Sequence, residues 1–318
     1  MKLISHLDAD ERSRVVTVLA LVDELDAATE VHDVLLDGEA WAADLRGLIR
    51  AADGDPSRLA VAPSPRGTLA GLRLTAPVAD PSKIVAAPVN YRDHQAEMNE
   101  DTHIDGLGVF LKAPSSVIGH GGVVQLPYDD RRFDQEGELA LVVGRTARHV
   151  TPEQALDHVF GYTCLLDITM RGGEDRSTRK SFDSFSPMGP WLVTPNEVGD
   201  PSKLHLSTTV SGALRQDADV ADLIWDIPAL LSYASSVMTL HPGDVITSGT
   251  PAGIGQLHGG DDVCVSISRI GSLRVSVDDQ AAVHCPTRGA GRGPVPPPTP
   301  THTVISGEPP SATSQGAP

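Results

Sequence analysis

The chain has 318 residues, of which 40% are hydrophobic and 21% are charged, as in ordinary soluble globular proteins. Its formal net charge of −17 argues against nucleic acid as a partner, because phosphate binding needs clustered lysine and arginine side chains. No stretch reaches the roughly 18 apolar residues of a membrane span, and the start lacks the apolar core of a signal peptide. Three cysteines without CxxC spacing favour a reduced, cytoplasmic compartment.

Residues 1–78 predict a small N-terminal α/β module. The run RSRVVTVLALVDELD favours a strand. The run GEAWAADLRGLIRAAD is typical of a short amphipathic helix, with Trp41, Leu45, Leu48 and Ile49 on one face. A connection punctuated by prolines, RLTAPVADPSK, leads from this module into the next part of the chain.

Residues 79–283 predict a strand-rich main domain of mixed or mostly antiparallel architecture, because short β-like runs alternate with turn residues. The runs are KIVAAPV, GVFLKA, ELALVVG, LHLSTTV, DVITSGT, DDVCVSIS and SLRVSVD. Two helices are predicted between them. TPEQALDHV has Thr151 as N-cap and Gln154 closing a capping box, and DIPALLSYASSVMTL has Asp226 as N-cap.

Residues 284–318 are dominated by proline, glycine, serine and threonine, with few large apolar side chains. Such a composition cannot bury enough apolar surface to order itself, so we expect a disordered tail. Its PPPTP segment is compatible with a polyproline II ligand, but an extension without a role is the simpler interpretation.

The run FDQEGELALVVGR reads as a buried strand, yet it carries Glu136 and Glu138. Side chains alternate along a strand, so the two carboxylates share a face, and burying them together is costly without a neutralising cation. Asp167, near the end of the apolar run GYTCLLDIT, adds a third acid. Three carboxylates suit Mg²⁺ or Mn²⁺, whereas the alternative is an ExE pair that only decorates the surface.

A histidine and a glutamate three residues apart, His94 and Glu97, occur in NYRDHQAEM. On a helical turn this spacing places both side chains on one face. A carboxylate that holds an imidazole makes a general base, because it fixes the tautomer and stabilises the imidazolium. From the spacing alone, a casual pair on a surface helix is the simpler interpretation.

Two further stretches could contact an anionic substrate. The polar run DITMRGGEDRSTRKSF gathers Arg171, Arg176, Arg179 and Lys180 in an otherwise acidic chain, and either holds a carboxylate or solubilises a loop. The turn in HPGDVITSGTPAGIG lacks the lysine of a phosphate-binding loop. Its Thr250 and the backbone amides around Gly249 could instead bind an anionic oxygen, unless these glycines serve only a tight turn.

The chain resembles the fumarylacetoacetate hydrolase family in six stretches that occur in order: NYRDHQAE, FLKAPSSVIG, EGELALVVG, GYTCLLDIT, RKSFDSFSPMGPWLV and LHPGDVITSGTPAGIG. The resemblance covers about residues 83–277. It implies a mixed β-roll or barrel core of the family's C-terminal type, a divalent metal and a homodimer. Carried over to this sequence, the metal ligands are Glu136, Glu138 and Asp167, the catalytic residues are His94, Glu97 and Lys180, and the substrate-binding residues are Arg171, Gly249 and Thr250.

The resemblance further implies an Mg²⁺- or Mn²⁺-dependent enzyme that acts on a small 2-oxo acid through a metal-bound enolate. Hydrolysis of the C–C bond of an acylpyruvate such as fumarylpyruvate is the first expectation. The alternatives are a 2-hydroxyhepta-2,4-diene-1,7-dioate isomerase or decarboxylase, an oxaloacetate decarboxylase or tautomerase, and a non-catalytic binding module. Glu174 departs from the family pattern, since it stands near where an amide would contact the substrate.

Overall fold

The computed structural model describes residues 1–19 and 26–293. Its described part contains many short strands in three sheets and seven α-helices, the longest of which has 11 residues. The predicted strand-rich α+β class is confirmed. The described strands form open sheets and close no barrel. None of the helices in residues 1–19 and 26–293 is long and apolar enough to cross a membrane.

The first strands, in chain order, are β1 (Lys2–Leu7), β2 (Ser13–Val18), β3 (Glu30–Leu36), β4 (Glu39–Ala40), β5 (Leu59–Thr68), β6 (Arg73–Leu74), β7 (Ile84–Ala86), β8 (Phe110–Lys112), β9 (Val117–Ile118), β10 (Val123–Gln125) and β11 (Phe133–Gln135). The remaining strands are β12 (Gly137–Val143), β13 (Val159–Leu166), β14 (Thr169–Met170), β15 (Ser186–Val193), β16 (His205–Val210), β17 (Ala213–Asp219), β18 (Val245–Thr247), β19 (Gly255–Gln256), β20 (Asp262–Ile267) and β21 (Gly271–Asp278).

The α-helices are α1 (Leu45–Ala51), α2 (Arg92–Glu97), α3 (Ile104–Leu107), α4 (Pro152–Ala155), α5 (Arg176–Lys180), α6 (Pro195–Val198) and α7 (Ile227–Val237). Single 3₁₀ turns span Pro56–Arg58, Leu69–Gly71, Pro114–Ser116, Leu156–His158, Pro201–Lys203 and Val220–Asp222.

The largest sheet has 13 strands and runs in the order β4-β3-β2-β1-β15-β13-β12-β18-β7-β8, with β5, β6 and β9 paired beside this path. A second sheet has the order β10-β21-β20-β16-β17, and a small third sheet has the order β14-β11-β19. Most pairs are antiparallel, but β18 with β7, β10 with β21 and β15 with β9 are parallel. Each of the seven β-like runs predicted from the main domain contains one of these strands.

Strand β12 lies in the middle of the large sheet and is buried on both faces. Leu139, Leu141 and Val143 belong to one apolar core, and Ala140 and Val142 belong to a second core on the opposite face. A strand buried on both faces needs apolar side chains at every position. This explains why ELALVVG is a continuous apolar run rather than an alternating one.

The N-terminal strands continue the same large sheet. β1 pairs antiparallel with β15, with Leu3 opposite Leu192. Helix α1 buries Leu45, Leu48 and Ile49 in the second core, which the strands of the main domain share. Burial of these apolar side chains joins residues 1–78 to the sheet that carries β12 and β13.

The predicted N-caps at Thr151 and Asp226 are confirmed. Asp44 and Asp226 cap α1 and α7, each accepting a hydrogen bond from a backbone amide in the first turn. The capping box of Thr151 and Gln154 begins α4, which continues as a 3₁₀ turn. Trp41 lies outside α1, because the helix begins only at Leu45.

The predicted tail is described only up to residue 293. Within residues 284–293, Cys285 is buried and its backbone amide donates to the carboxylate of Asp130 at 2.8 Å. Residues 294–318, including PPPTP, lie outside the described residues, as do residues 20–25 of the predicted first strand.

Gly137 separates the two glutamates of the EGE stretch and faces the second sheet. A Cβ atom there would overlap the hydroxyl of Thr208 and lie 3.1 Å from Cγ2 of Val265. Both neighbours are buried in strands of the second sheet, so neither can move far. The large sheet can therefore approach the second sheet at this point only because residue 137 has no side chain.

We predict that Gly137→Ala lowers the free energy of unfolding by about 1–3 kcal/mol, the usual cost of overpacking a core. Gly67→Ala is the matched control, because a Cβ at Gly67 meets no atom within 4 Å. Its effect should stay within about 0.5 kcal/mol. Denaturant unfolding of both variants measures the difference, and equal midpoints would contradict the close packing of the two sheets.

Candidate active site

Three buried carboxylates meet where β12 begins and β13 ends. The two strands are antiparallel neighbours, with Glu138 opposite Leu165. Glu136 immediately precedes β12, and Asp167 immediately follows β13. The backbone amide of Asp167 donates to the carbonyl of Glu136 at 2.8 Å. One oxygen from each of the three carboxylates lies within 4.8 Å of the other two.

Lys180 and Arg171 neutralise part of this charge. The Lys180 ammonium donates to Glu136 and Asp167 at 2.6 Å each, and to the hydroxyl of Thr169 at the same distance. The Arg171 guanidinium donates to the other oxygen of Glu136 at 2.6 Å. Burial opposes the charge of Glu136, yet these two cations hold the pKa of its carboxyl well below the ordinary value.

A second lysine, Lys112, reaches the same cluster from β8. Its ammonium donates to Asp167 and to the backbone carbonyl of Phe185, the latter at 2.9 Å. Burial lowers the pKa of this fully buried lysine, and the carboxylate of Asp167 opposes that shift. Asp167 therefore lies between two ammonium groups.

Glu138 has a different environment from the other two acids. Within residues 1–19 and 26–293, Glu138 forms no salt bridge, and its Oε2 accepts a hydrogen bond from the backbone amide of Gly249 at 3.0 Å. Burial, reinforced by the charge of Asp167, raises its pKa well above the ordinary value. Additional positive charge would stabilise its anion, and three hard carboxylate oxygens are the donor set that Mg²⁺ and Mn²⁺ prefer. The residues therefore fit a divalent metal.

His94 and Glu97 form the predicted dyad on α2. Nδ1 of His94 lies 2.9 Å from Oε2 of Glu97, and both side chains are almost fully buried. Oε1 of Glu97 accepts the backbone amide of Gly253 at 2.9 Å. The carboxylate therefore fixes the imidazole on one side and anchors α2 to the glycine-rich turn on the other. Nε2 of His94 has no hydrogen-bond partner among the residues that the structure describes.

Gly249 supports the acid cluster through its backbone. Its φ of +86° is favourable for glycine, and a Cβ would lie 2.9 Å from Cβ of Asn90 and 3.1 Å from the carbonyl oxygen of Pro88. Glycine thus lets the turn approach the segment that leads into α2. Its amide, which the sequence predicts to bind a substrate oxygen, donates to the carboxylate of Glu138 instead.

The hydroxyl of Thr250 is held by the scaffold. It donates to the carbonyl of Gly137 at 2.9 Å and accepts from the amide of Gln216 at 2.6 Å. Gln216 also accepts the backbone amide of Gly137 at 2.8 Å. Thr250 therefore links the glycine-rich turn to the EGE stretch, while its side chain also lines the cavity described next.

One cavity joins the acid cluster to the dyad, with about 600 Å³ of empty space including its open mouth. Of the residues predicted to form the site, Glu97, Asp167 and Gly249 lie behind the cavity wall, and the others line it. The residues that line it are Ala87, Pro88, Val89, His94, Met98, Glu100, Phe110, Glu136, Glu138, Arg171, Arg176, Arg179, Lys180 and Thr250.

The cationic loop predicted from the sequence faces this cavity. Arg176 and Arg179 on α5 line it, together with Lys180 deeper inside. The departure from the family pattern predicted that Glu174 lies near the substrate. Glu174 is absent from the lining of the described cavity, and its carboxylate instead forms a salt bridge with Arg131 at 2.7 Å. The lining of this side of the cavity is thus cationic.

Two charged residues beside the acid cluster, Lys112 and Asp134, were not predicted from the sequence. Lys112 had a signal, since a lysine in the apolar run GVFLKA needs a buried partner. Asp134 accepts hydrogen bonds from Arg132 and Arg171 at 2.7 Å each and so orients the guanidinium on Glu136. Nothing local distinguishes Asp134 from a surface acid, because its partners are set by the pairing of β11 with β14.

Comparison with known proteins shows which family the chain resembles over most of its length. Residues 83–278 match the family model described as Fumarylacetoacetate (FAA) hydrolase C-terminal. A maleylpyruvate hydrolase from Aquipseudomonas alcaligenes is 44% identical over 268 residues, which cover 80% of this chain and 93% of that protein.

Solved structures give the same result. A maleylpyruvate hydrolase from Sphingobium sp. SYK-6, in complex with manganese(II) and pyruvate, superposes with a TM-score of 0.69 at 35% identity, over 90% of this chain and 100% of that chain. A 2-hydroxyhepta-2,4-diene-1,7-dioate isomerase from Mycobacterium marinum superposes with a TM-score of 0.70 at 30% identity, over 88% of this chain and 99% of that chain. The chain belongs to the fumarylacetoacetate hydrolase family.

We predict that the wild-type chain binds Mn²⁺ and that Glu138→Gln weakens this binding at least about tenfold, the smallest effect expected when even a supporting group of a metal site is lost. Because Glu138 forms no described salt bridge, the substitution leaves the pairs of Lys112, Arg171 and Lys180 intact. The free Mn²⁺ signal in electron paramagnetic resonance titrations measures the affinity.

The control for this experiment is Asp130→Asn. Asp130 belongs to an exposed cluster with Asp129 and His284, the second group of potential metal ligands in the described chain. Without metal, Glu138→Gln should unfold at an equal or higher temperature, because it removes a buried charge. Loss of Mn²⁺ binding in Asp130→Asn, with normal binding in Glu138→Gln, would place the metal elsewhere.

Proposed function

We propose that this protein is a divalent-metal-dependent hydrolase that cleaves the C–C bond of an acylpyruvate, with a dicarboxylic substrate such as maleylpyruvate or fumarylpyruvate. The main support is that one cavity joins a buried three-carboxylate cluster to a histidine–glutamate dyad. The first group suits a metal and the second suits proton transfer. The similarity to a maleylpyruvate hydrolase at 44% identity favours this substrate class.

The charge of the site supports an anionic substrate. Four carboxylates and four cationic side chains form one network of ion pairs and close contacts around the cluster, so they nearly balance one another. A divalent ion would add two positive charges to this network, and Arg176 and Arg179 line the same cavity, so a dianion would be favoured. The acids are Asp134, Glu136, Glu138 and Asp167, and the cations are Lys112, Arg132, Arg171 and Lys180.

A Mg²⁺ or Mn²⁺ ion held by Glu136, Glu138 and Asp167 would supply a Lewis acid for the carboxylate and keto oxygens of the 2-oxo acid. Lys180 and Arg171 stand beside these carboxylates, with their nitrogens 2.6 Å from Glu136. Preorganised cations in a buried site stabilise negative charge that develops on a substrate oxygen.

His94 is the proposed general base. Glu97 holds its Nδ1–H, so the lone pair of Nε2 is available to a water molecule in the cavity. As this nitrogen takes a proton, the water oxygen attacks the acyl carbonyl remote from the 2-oxo acid. The carboxylate of Glu97 stabilises the resulting imidazolium.

Collapse of the tetrahedral adduct breaks the C–C bond between the acyl carbon and C3 of the pyruvate unit. The electron pair of that bond passes into the pyruvate unit and gives its enolate, whose oxygen Lys180 and Arg171 can stabilise. A proton then returns to C3, which yields pyruvate and the free acid. Water supplies the hydroxyl of the acid and, overall, the proton on C3.

Isomerisation is the second candidate, because a 2-hydroxyhepta-2,4-diene-1,7-dioate isomerase shares the fold at 30% identity. It would use the same cations to stabilise an enolate, but it would move a proton without attack by water. The homodimer that the family resemblance implies and the cytoplasmic location that the cysteines favour stay predictions.

We predict that the wild-type chain with Mg²⁺ or Mn²⁺ releases free pyruvate from maleylpyruvate or fumarylpyruvate, and that His94→Gln lowers kcat by about 10²–10⁴-fold, the usual contribution of a general base. His103→Gln, in the segment that follows α2, is the matched control and should keep activity. Loss of substrate absorbance together with a coupled pyruvate assay measures turnover.

The same assay distinguishes hydrolysis from isomerisation. A spectral shift without free pyruvate would support isomerisation and contradict hydrolysis. Unchanged turnover in His94→Gln would refute the role of His94 while leaving the hydrolytic reaction in place.

A further inference from the structure

Residues 284–293, which we call the C-terminal strap, lie beyond the family match at residue 278 and run back to the active site. They meet residues 172–180, the cationic loop that carries α5. The backbone amide of Gly173 donates to the carbonyl of Gly289 at 3.0 Å. The strap is thus hydrogen bonded to the loop that lines one side of the cavity.

A partly buried polar contact joins the strap to the loop. The guanidinium of Arg131 donates to Oε1 of Glu174 at 2.7 Å and to the hydroxyl of Thr287 at 2.5 Å. The Thr287 hydroxyl itself donates to Glu174. The side chains of Arg131 and Glu174 are 1% and 12% exposed, so water competes little for the bond between them, whereas Thr287 reaches this pair from the surface.

Glycines on both sides allow the backbones to approach. A Cβ at Gly289 would overlap the carboxylate of Glu174, and one at Gly293 would lie 2.7 Å from the carbonyl oxygen of Gly172. On the loop, a Cβ at Gly173 would lie 2.6 Å from Cβ of Arg292. Any side chain at these positions would push the strap and the loop apart.

The contact continues to the cavity through the backbone of Glu174. Its carbonyl accepts Nε of Arg179 at 2.8 Å, and Arg179 lines the cavity with Arg176. Asp175, the next residue, caps α5 by accepting the amide of Ser177 at 2.8 Å. Glu174, which the strap contacts, therefore immediately precedes Asp175, the N-cap of α5.

We propose that the C-terminal strap is a positioning element for substrate binding. Thr287 and Gly289 hold the cationic loop so that Arg176 and Arg179 face the carboxylate of the substrate that is remote from its 2-oxo acid. The proposal rests on the proposed function for its substrate, a dicarboxylic acylpyruvate. The Arg176 side chain forms no hydrogen bond or salt bridge within residues 1–19 and 26–293, as expected of a cation that pairs with a ligand.

The test compares three full-length variants. Thr287→Val removes the hydroxyl and keeps the shape of the side chain, Thr287→Ser restores the hydroxyl, and Ala290→Val adds bulk at an exposed position of the strap. Hydrogen exchange of the amides of residues 172–180 reports on the loop without substrate. Steady-state kinetics with maleylpyruvate and with acetylpyruvate report on the remote carboxylate, which only the first substrate has.

In Thr287→Val we expect faster exchange in the loop and a KM for maleylpyruvate raised about five- to tenfold, as for loss of one hydrogen bond. The kcat and the KM for acetylpyruvate should change less than about twofold, since the acid cluster and the dyad stay in place. Thr287→Ser should recover the wild-type values, and Ala290→Val should not depart from them.

Unchanged hydrogen exchange of residues 172–180 in Thr287→Val would overturn the positioning role of the strap, whatever reaction the enzyme catalyses. Faster exchange with no change in KM, or an equal rise in KM for both substrates, would also overturn it, because the strap would then have a purely structural role. If the wild-type chain released pyruvate from neither substrate, the proposed function would fail separately, and loop exchange alone would decide whether the strap holds the loop.

Discussion

Three carboxylates buried in one place are the constraint on which the rest of this structure depends. Like charges cannot share a buried site unless cations compensate them, and the chain supplies Lys112, Arg171 and Lys180 from three different segments. Glu136 and Asp167 receive these cations, whereas Glu138 receives a backbone amide. Glu138 is therefore the carboxylate of the cluster whose anion would be stabilised by further positive charge. This is the physical basis for assigning a divalent metal to the cluster.

Glycines allow the surrounding segments to approach this cluster closely, because they have no side chain. Gly137 lets the second sheet close behind the EGE stretch, and Gly249 lets the glycine-rich turn approach Glu138. Glycines of the strap and of the cationic loop make a third close contact on the outer side of the cavity. The acid cluster thus sits on rigid sheets, while the arginines that would select a substrate sit on a loop held from outside. Such a division allows specificity to vary without disturbing the chemistry.

Local rules predicted much of this architecture from the sequence. Alternation along a strand placed Glu136 and Glu138 on one side, and caps at Thr151 and Asp226 located two helices. The partners of Lys112 could not be predicted, because they depend on which strands pair. The composition of residues 284–293 predicted disorder, yet the structure places this segment against the loop through glycine contacts and Thr287. Composition measures the apolar area a segment can bury, and it does not register a polar contact supplied by another part of the chain.

The most direct test of the central claim is anomalous diffraction from a crystal of the full chain soaked in Mn²⁺. The account predicts one strong anomalous peak within about 2.0–2.4 Å of oxygens from Glu136, Glu138 and Asp167, the distances usual for hard divalent ions. A peak at the exposed acids near His284 instead, with none at the buried cluster, would contradict it. The three carboxylates would then be a structural ion-pair network, and the assignment of metal-dependent chemistry to this cavity would be wrong.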